Sequence, residues 1–128
     1  MTFHLHILAV ALGGALGSVG RYLIAMSTMK ISTHFPIGTF IANLLGCLLI
    51  GFFWGLFEKI EISHEFRLFL FTGFLGGFTT LSTYARESYS FLEMGDYFHG
   101  TMYIILSNIL ALLMIGGGFF ISQKFLLR

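Results

Sequence analysis

The chain has 128 residues, of which 56% are hydrophobic, 17% aromatic and only 10% charged, with a formal net charge of +1. A water-soluble domain carries about 25% charged residues, so this composition excludes a soluble fold and calls for lipid as solvent. No Lys/Arg run or basic patch is present, which excludes nucleic acid as an expected partner.

A bilayer core about 30 Å thick needs roughly 20 apolar residues per spanning helix. Four segments meet that demand, at 5–26, 36–57, 66–91 and 97–123. The expected fold is therefore an all-α integral membrane protein, with one transmembrane domain over 1–128. The N-terminus lacks a basic stretch before its apolar run, so no cleaved signal peptide is expected.

The first span carries one charge, Arg21, in its last turn. That position suits a snorkelling anchor or an attractive charge at an anion entrance. The second span carries no charge and opens on Pro36, whose missing N–H costs nothing at a helix start. It offers Thr39 and Asn43, four apart and hence on one face. A carboxamide in lipid needs a partner, either a neighbouring helix or a permeating ion. Cys47 is the only cysteine; it reads as a small apolar residue with no disulfide partner or metal-ligand spacing.

The third span contains Gly76-Gly77-Phe78-Thr79-Thr80-Leu81-Ser82-Thr83-Tyr84. Adjacent glycines cost backbone entropy, and serine and threonine compete for backbone hydrogen bonds. A break at the glycines is therefore expected. Non-helical backbone at that depth survives only against protein or a water-filled path, and carbonyls freed there can hold a cation. Arg86 and Glu87 end this apolar run; they pair locally or flank a vestibule mouth.

The fourth span offers Tyr103 and Ser107, again four apart, with Asn108 beside them. The second, third and fourth spans together provide a polar path without a formal buried charge, suited to a small ion or a neutral solute. No Ser/His/Asp set, carboxylate pair or phosphate loop appears, so an enzyme is not expected. The five histidines, His4, His6, His34, His64 and His99, all fall at span ends or in loops and read as interfacial residues.

Glycine pairs recur at four-residue spacing: Gly13 and Gly17, Gly51 and Gly55, Gly73 and Gly77. Such pairs let helices approach closely in lipid, within one chain or between two. With four spans, Lys59, Arg67, Lys124 and Arg128 lie on one side of the membrane, and Arg21, Lys30 and Arg86 on the other. A near-even split gives little topological instruction. Insertion in both orientations, and antiparallel pairing of the two forms, is then open.

Taken together, the ordered set Gly13-x3-Gly17-x3-Arg21, Gly38-Thr39-x3-Asn43-x2-Gly46-x4-Gly51 and Gly73-x2-Gly76-Gly77-x-Thr79-Thr80-x-Ser82-Thr83 resembles the Fluc (CrcB) fluoride channels over the whole chain. The resemblance implies an antiparallel, dual-topology homodimer in a cell inner membrane, with pores along the subunit interface. It implies a passive, fluoride-selective path for cytoplasmic fluoride. It also implies a structural sodium ion at the dimer centre, on the backbone carbonyls of Gly76 and Thr79. Carried over residue by residue, the fluoride path takes in Asn43, Leu81, Tyr84, Tyr103 and Ser107. Thr39, Ser82, Thr83, Arg21 and Glu87 complete the expected pathway. Leu81 and Tyr84 stand where the family usually has phenylalanine, and Arg86 where it tends to have a small residue. Two rival readings are a partner subunit of a heterodimeric channel and a dual-topology exporter of small drugs. The latter needs an embedded carboxylate, and Glu87 is the only one near a span interior.

Overall fold

The protein, described over residues 2–126 by a computed structural model, contains helices only. Arg128, counted above among the loop cations, lies outside the described residues. Helix α1 covers Thr2–Thr28 and α2 covers Ile37–Phe57, with Pro36 just ahead of it. Helix α3, His64–Arg67, continues through a π-helical stretch at Leu68–Leu75 into α4, Gly76–Phe78. Helix α5, Leu81–Glu93, follows, and α6 covers Tyr97–Leu126. Among the described residues, four segments are long and apolar enough to cross a membrane: Thr2–Thr28, Ile37–Phe57, His64–Glu93 and Tyr97–Leu126.

Local chemistry sets the ends. Ser63 Oγ accepts the Phe66 N–H at 3.1 Å and starts α3. Past α5, Gly95 adopts φ +76°, a left-handed conformation that favours glycine. The Gly95 N–H donates to Leu92 O and the Asp96 N–H to Phe91 O, the paired bonds of a Schellman turn. Asp96 then caps α6, its Oδ1 accepting the His99 N–H at 3.2 Å. The turn between the last two spans is thereby kept to a few residues.

The helices pair alternately: α1 packs along the third span, and α2 along α6. The glycine pairs make both seams. A Cβ on Gly13 would strike Phe69 O, and one on Gly17 would strike Phe74 O. From the other side, a Cβ on Gly77 would come within 2.7 Å of Gly14 O. In the second seam, a Cβ on Gly51 would strike Ile115 O, one on Gly118 Leu48 O, and one on Gly55 Ser122 Oγ. All three glycine pairs therefore serve packing inside one chain. Between Gly116 and Gly118, only Gly118 is tightly packed; Gly116 and Gly117 face open space.

The outer faces remain apolar. No span has more than 22% of its most apolar stretch buried, and Leu12, Leu16, Val19, Leu112 and Leu113 are all exposed. Such faces are compatible with lipid or another chain, and the protein is a multi-pass membrane protein.

Candidate functional site

The third span is interrupted at Thr79 and Thr80, not at the glycines. Gly76 and Gly77 lie within α4, whereas Thr79 (φ −88°, ψ 157°) and Thr80 (φ −149°, ψ 116°) are extended. The cause is Asn43. Its Oδ1 accepts the Thr80 N–H at 2.7 Å, and its Nδ2 donates to Thr80 O at 3.1 Å. The Thr80 N–H would otherwise close the next helical turn on Gly76 O. The side chain thus replaces a backbone partner at membrane depth, as an interruption there requires. Downstream, Thr80 Oγ1 accepts the Thr83 N–H at 3.2 Å and caps α5. Ser82 Oγ and Thr83 Oγ1 also lie within 3.3 Å and 3.2 Å of Thr80 Oγ1. Ser82 and Thr83 thus surround the α5 cap; they are not among the residues lining the cleft beside it.

Arg21 takes a role that neither sequence reading foresaw. Its Nε donates to Gly77 O at 3.1 Å, 56 residues along the chain. The arginine reaches inward to the end of α4. Among the described residues, no hydrogen-bond donor reaches the carbonyls of Gly76 or Thr79.

Behind the interruption lies a cleft of ≈ 250 Å³ lined by Asn43, Cys47, Ile50, Thr79, Thr80, Leu81, Tyr84, Ser107, Asn108 and Ala111. No carboxylate lines it. Asn108 Nδ2 donates to the Tyr84 hydroxyl at 2.9 Å, so that hydroxyl keeps its own proton for another acceptor. Ser107 Oγ is the one buried side-chain polar atom without a partner among the described residues. Two O–H donors therefore stand unspent at one apolar-walled cleft. Asn108 was read only as a neighbour of Tyr103 and Ser107; the four-residue spacing of Ile104 and Asn108 was its only signal.

Towards the α2 N-terminus, Tyr84 stacks edge-on against Tyr103 with ring centroids 5.2 Å apart. Tyr103 is fully buried and donates its hydroxyl to Glu87 Oε2 at 2.8 Å. Thr39 donates to Glu87 Oε1 at 2.7 Å. Both carboxylate oxygens of Glu87 are thus held by hydroxyls from other helices, and it makes no ion pair with Arg86 among the described residues. Thr39 and Glu87 also line a vestibule of ≈ 310 Å³ near the α1–α2 linker. A polar track therefore runs from the vestibule through Thr39, Glu87, Tyr103 and Tyr84 to the cleft. It contains every expected pathway residue except Arg21, Ser82 and Thr83. Leu81 is at the cleft wall, 77% exposed.

Phe78 corrects an expectation. By three-residue spacing along a continuous helix, Phe78, Leu81 and Tyr84 are expected near one another on one face. The interruption separates them: Phe78 ends α4, is buried, and stacks on Phe74 at 5.8 Å with its edge close to Gly20 and Gly46. It is core between α1 and α2, not cleft lining.

Comparison with known proteins places this arrangement in a family. The family profile "CrcB-like protein, Camphor Resistance (CrcB)" matches residues 8–119. A protein of Desulfotalea psychrophila named fluoride-specific ion channel FluC is 64% identical over 122 residues, covering 95% of each chain. Proteins of the same name are 42% identical in Bacteroides fragilis, covering 93% of this chain and 97% of the relative, and 38% identical in Helicobacter pylori, covering 90% and 91%.

Proposed function

The chain belongs to the CrcB family, and on that premise we propose that it is a fluoride-selective passive channel that lets cytoplasmic fluoride leave down its gradient. It is a transport protein and not an enzyme. The observation that carries the reading is the pair of unspent hydroxyl donors, Tyr84 and Ser107, at a cleft without a carboxylate. Fluoride is a small, strongly hydrated anion, and it gives up water only against O–H or N–H donors. Aromatic ring edges, which are electropositive, add to them; Tyr84 supplies an edge and a hydroxyl together. At Glu87 the donors of Thr39 and Tyr103 already point to the carboxylate, so an anion passing there competes with it for the same protons.

A structural sodium ion suits the end of α4. The carbonyls of Gly76 and Thr79 are hard oxygen donors left without hydrogen bonds, and a sodium ion held by them would raise the local potential for anions. Arg21 lies beside this position, at the Gly77 carbonyl. The experiment is fluoride efflux from liposomes containing only this chain, with sodium and then a large organic cation as the counter-ion. Fluoride efflux without a proton gradient, little chloride efflux and slower fluoride efflux after sodium withdrawal are expected. Comparable chloride flux, or strict dependence on a proton gradient, would sink the channel reading; indifference to sodium would sink the cation site.

The assembly that completes a path through the membrane is an antiparallel homodimer in the inner membrane. Its support is the family's pattern and the modest cation bias. By sequence, Lys59, Arg67, Lys124 and Arg128 stand against Arg21, Lys30 and Arg86, four cations against three. A single cysteine placed at Glu61, in a Cys47→Ser background, should be labelled from both faces of intact cells. Labelling from one face only would reject dual insertion and favour a related partner chain of opposite orientation.

A further inference from the structure

The rim of the vestibule carries a cluster that the fluoride path does not use. His34 Nε2 lies 2.8 Å from Asp96 Oδ2, and His99 Nδ1 lies 2.9 Å from the same oxygen. One donor atom from each of the three residues falls within 4.8 Å of the others. No sequence spacing points to this cluster, because His34 and Asp96 are 62 residues apart.

The cluster is held from below. Phe91, 3% exposed, carries the His34 ring edge-on at 5.5 Å and stacks under the His99 ring at 6.2 Å. The two imidazoles meet each other edge to face at 4.7 Å. Asp96 is fixed twice, by the Schellman turn through its N–H and by capping α6. Its carboxyl is held below the ordinary aspartate value, first because it accepts a side-chain hydrogen bond from His99. An anionic oxygen and two imidazole nitrogens are a donor set for zinc-class ions, and a poor one for magnesium or calcium. Zinc bonds of about 2.0–2.2 Å place tetrahedral ligand atoms roughly 3.3 Å apart. The two nitrogen–oxygen separations need to widen by about half an ångström, and side chains 55%, 25% and 43% exposed have room to adjust.

We propose that His34, Asp96 and His99 bind a zinc-class divalent cation at the rim of the vestibule, leaving its fourth position open. On binding, each neutral ring passes the proton on its Asp96-facing nitrogen through solvent to its other nitrogen, so no net proton is lost. The cation ties the α1–α2 linker to the start of α6 across the mouth above Thr39 and Glu87. On the channel reading given above, it slows fluoride by narrowing that mouth and by holding the anion at the open position.

Zinc chloride is titrated into the purified, detergent-solubilised chain, with cobalt chloride as a coloured substitute whose visible spectrum reports the ligands. One ion per chain is expected, and His34→Gln, Asp96→Asn and His99→Gln should each weaken binding about 100-fold. Asp96→Asn also touches a helix cap, so His34→Gln, in an exposed linker, carries the test if that variant misfolds. Absence of stoichiometric binding, or affinity unchanged by His34→Gln and His99→Gln, overturns the site. In liposomes, zinc should slow fluoride efflux at least several-fold, and far less in His34→Gln, each compared with its own zinc-free rate. Undiminished efflux at saturating zinc overturns the obstruction. Zinc binding that needs the triad, in a chain that passes no fluoride even without zinc, supports the metal site and defeats the channel reading alone.

Discussion

Asn43→Ala should abolish most fluoride flux and destabilise the purified protein by a few kcal/mol. Asn43 satisfies both backbone groups of Thr80 with bonds of 2.7 and 3.1 Å. Each polar group left unpaired away from water costs about 1–3 kcal/mol, and the loss falls on two at once. The non-helical pair Thr79–Thr80 would then tend to close the helical turn on Gly76 O, turning the cleft lining and withdrawing a carbonyl proposed to hold sodium. Thermal unfolding in detergent and liposome flux check the two parts separately. Wild-type melting and flux in Asn43→Ala would show that the carboxamide does not hold the interruption.

The second large effect is expected at Tyr84. Tyr84→Phe removes only the hydroxyl that Asn108 orients, and it keeps the ring against Tyr103. Hydrogen bonds to charged groups contribute about 1.5–3 kcal/mol, so flux should fall by roughly ten-fold or more. Tyr84→Ile removes the ring edge as well and should fall further. Leu81→Phe should keep or raise flux, because Leu81 is mostly exposed and an added ring meets open space. Flux unchanged by Tyr84→Ile would place the path on other residues. No flux from the pure chain, with recovery on co-expression of a related one, would favour the partner-subunit alternative.

The spans were legible because bilayer thickness imposes a length and composition that few other constraints mimic. The pairs Thr39 with Asn43 and Tyr103 with Ser107 were legible for a similar reason: helical spacing alone puts each pair on one face. The position of the interruption was not. Local propensity pointed to Gly76-Gly77, yet the residue that decides is Asn43, which takes the Thr80 N–H from 37 residues away. Arg21 escaped for the same kind of reason, since its partner is a backbone carbonyl in another span. Phe78 was misplaced because a spacing argument assumes continuous helix, and the helix stops immediately after it. The histidines were correctly placed at span ends, but a turn of a few residues and a linker bring two of them together with Asp96.

The alternating seams also bear on how the chain is made. Helix α1 finds its glycine-fitted surface on the third span, and α2 finds its own on α6. Consecutive spans never complete a seam with each other. A nascent chain with two spans released into lipid therefore has neither seam, and the first closes only when the third span emerges from the translocon. The second waits for the last residues synthesised, so α2, with Asn43 on it, stays without its main helical neighbour until translation is nearly done. The interruption at Thr79–Thr80 must then be clamped by a helix not yet docked along α6, which makes biogenesis, rather than the finished fold, the stage most sensitive to early termination.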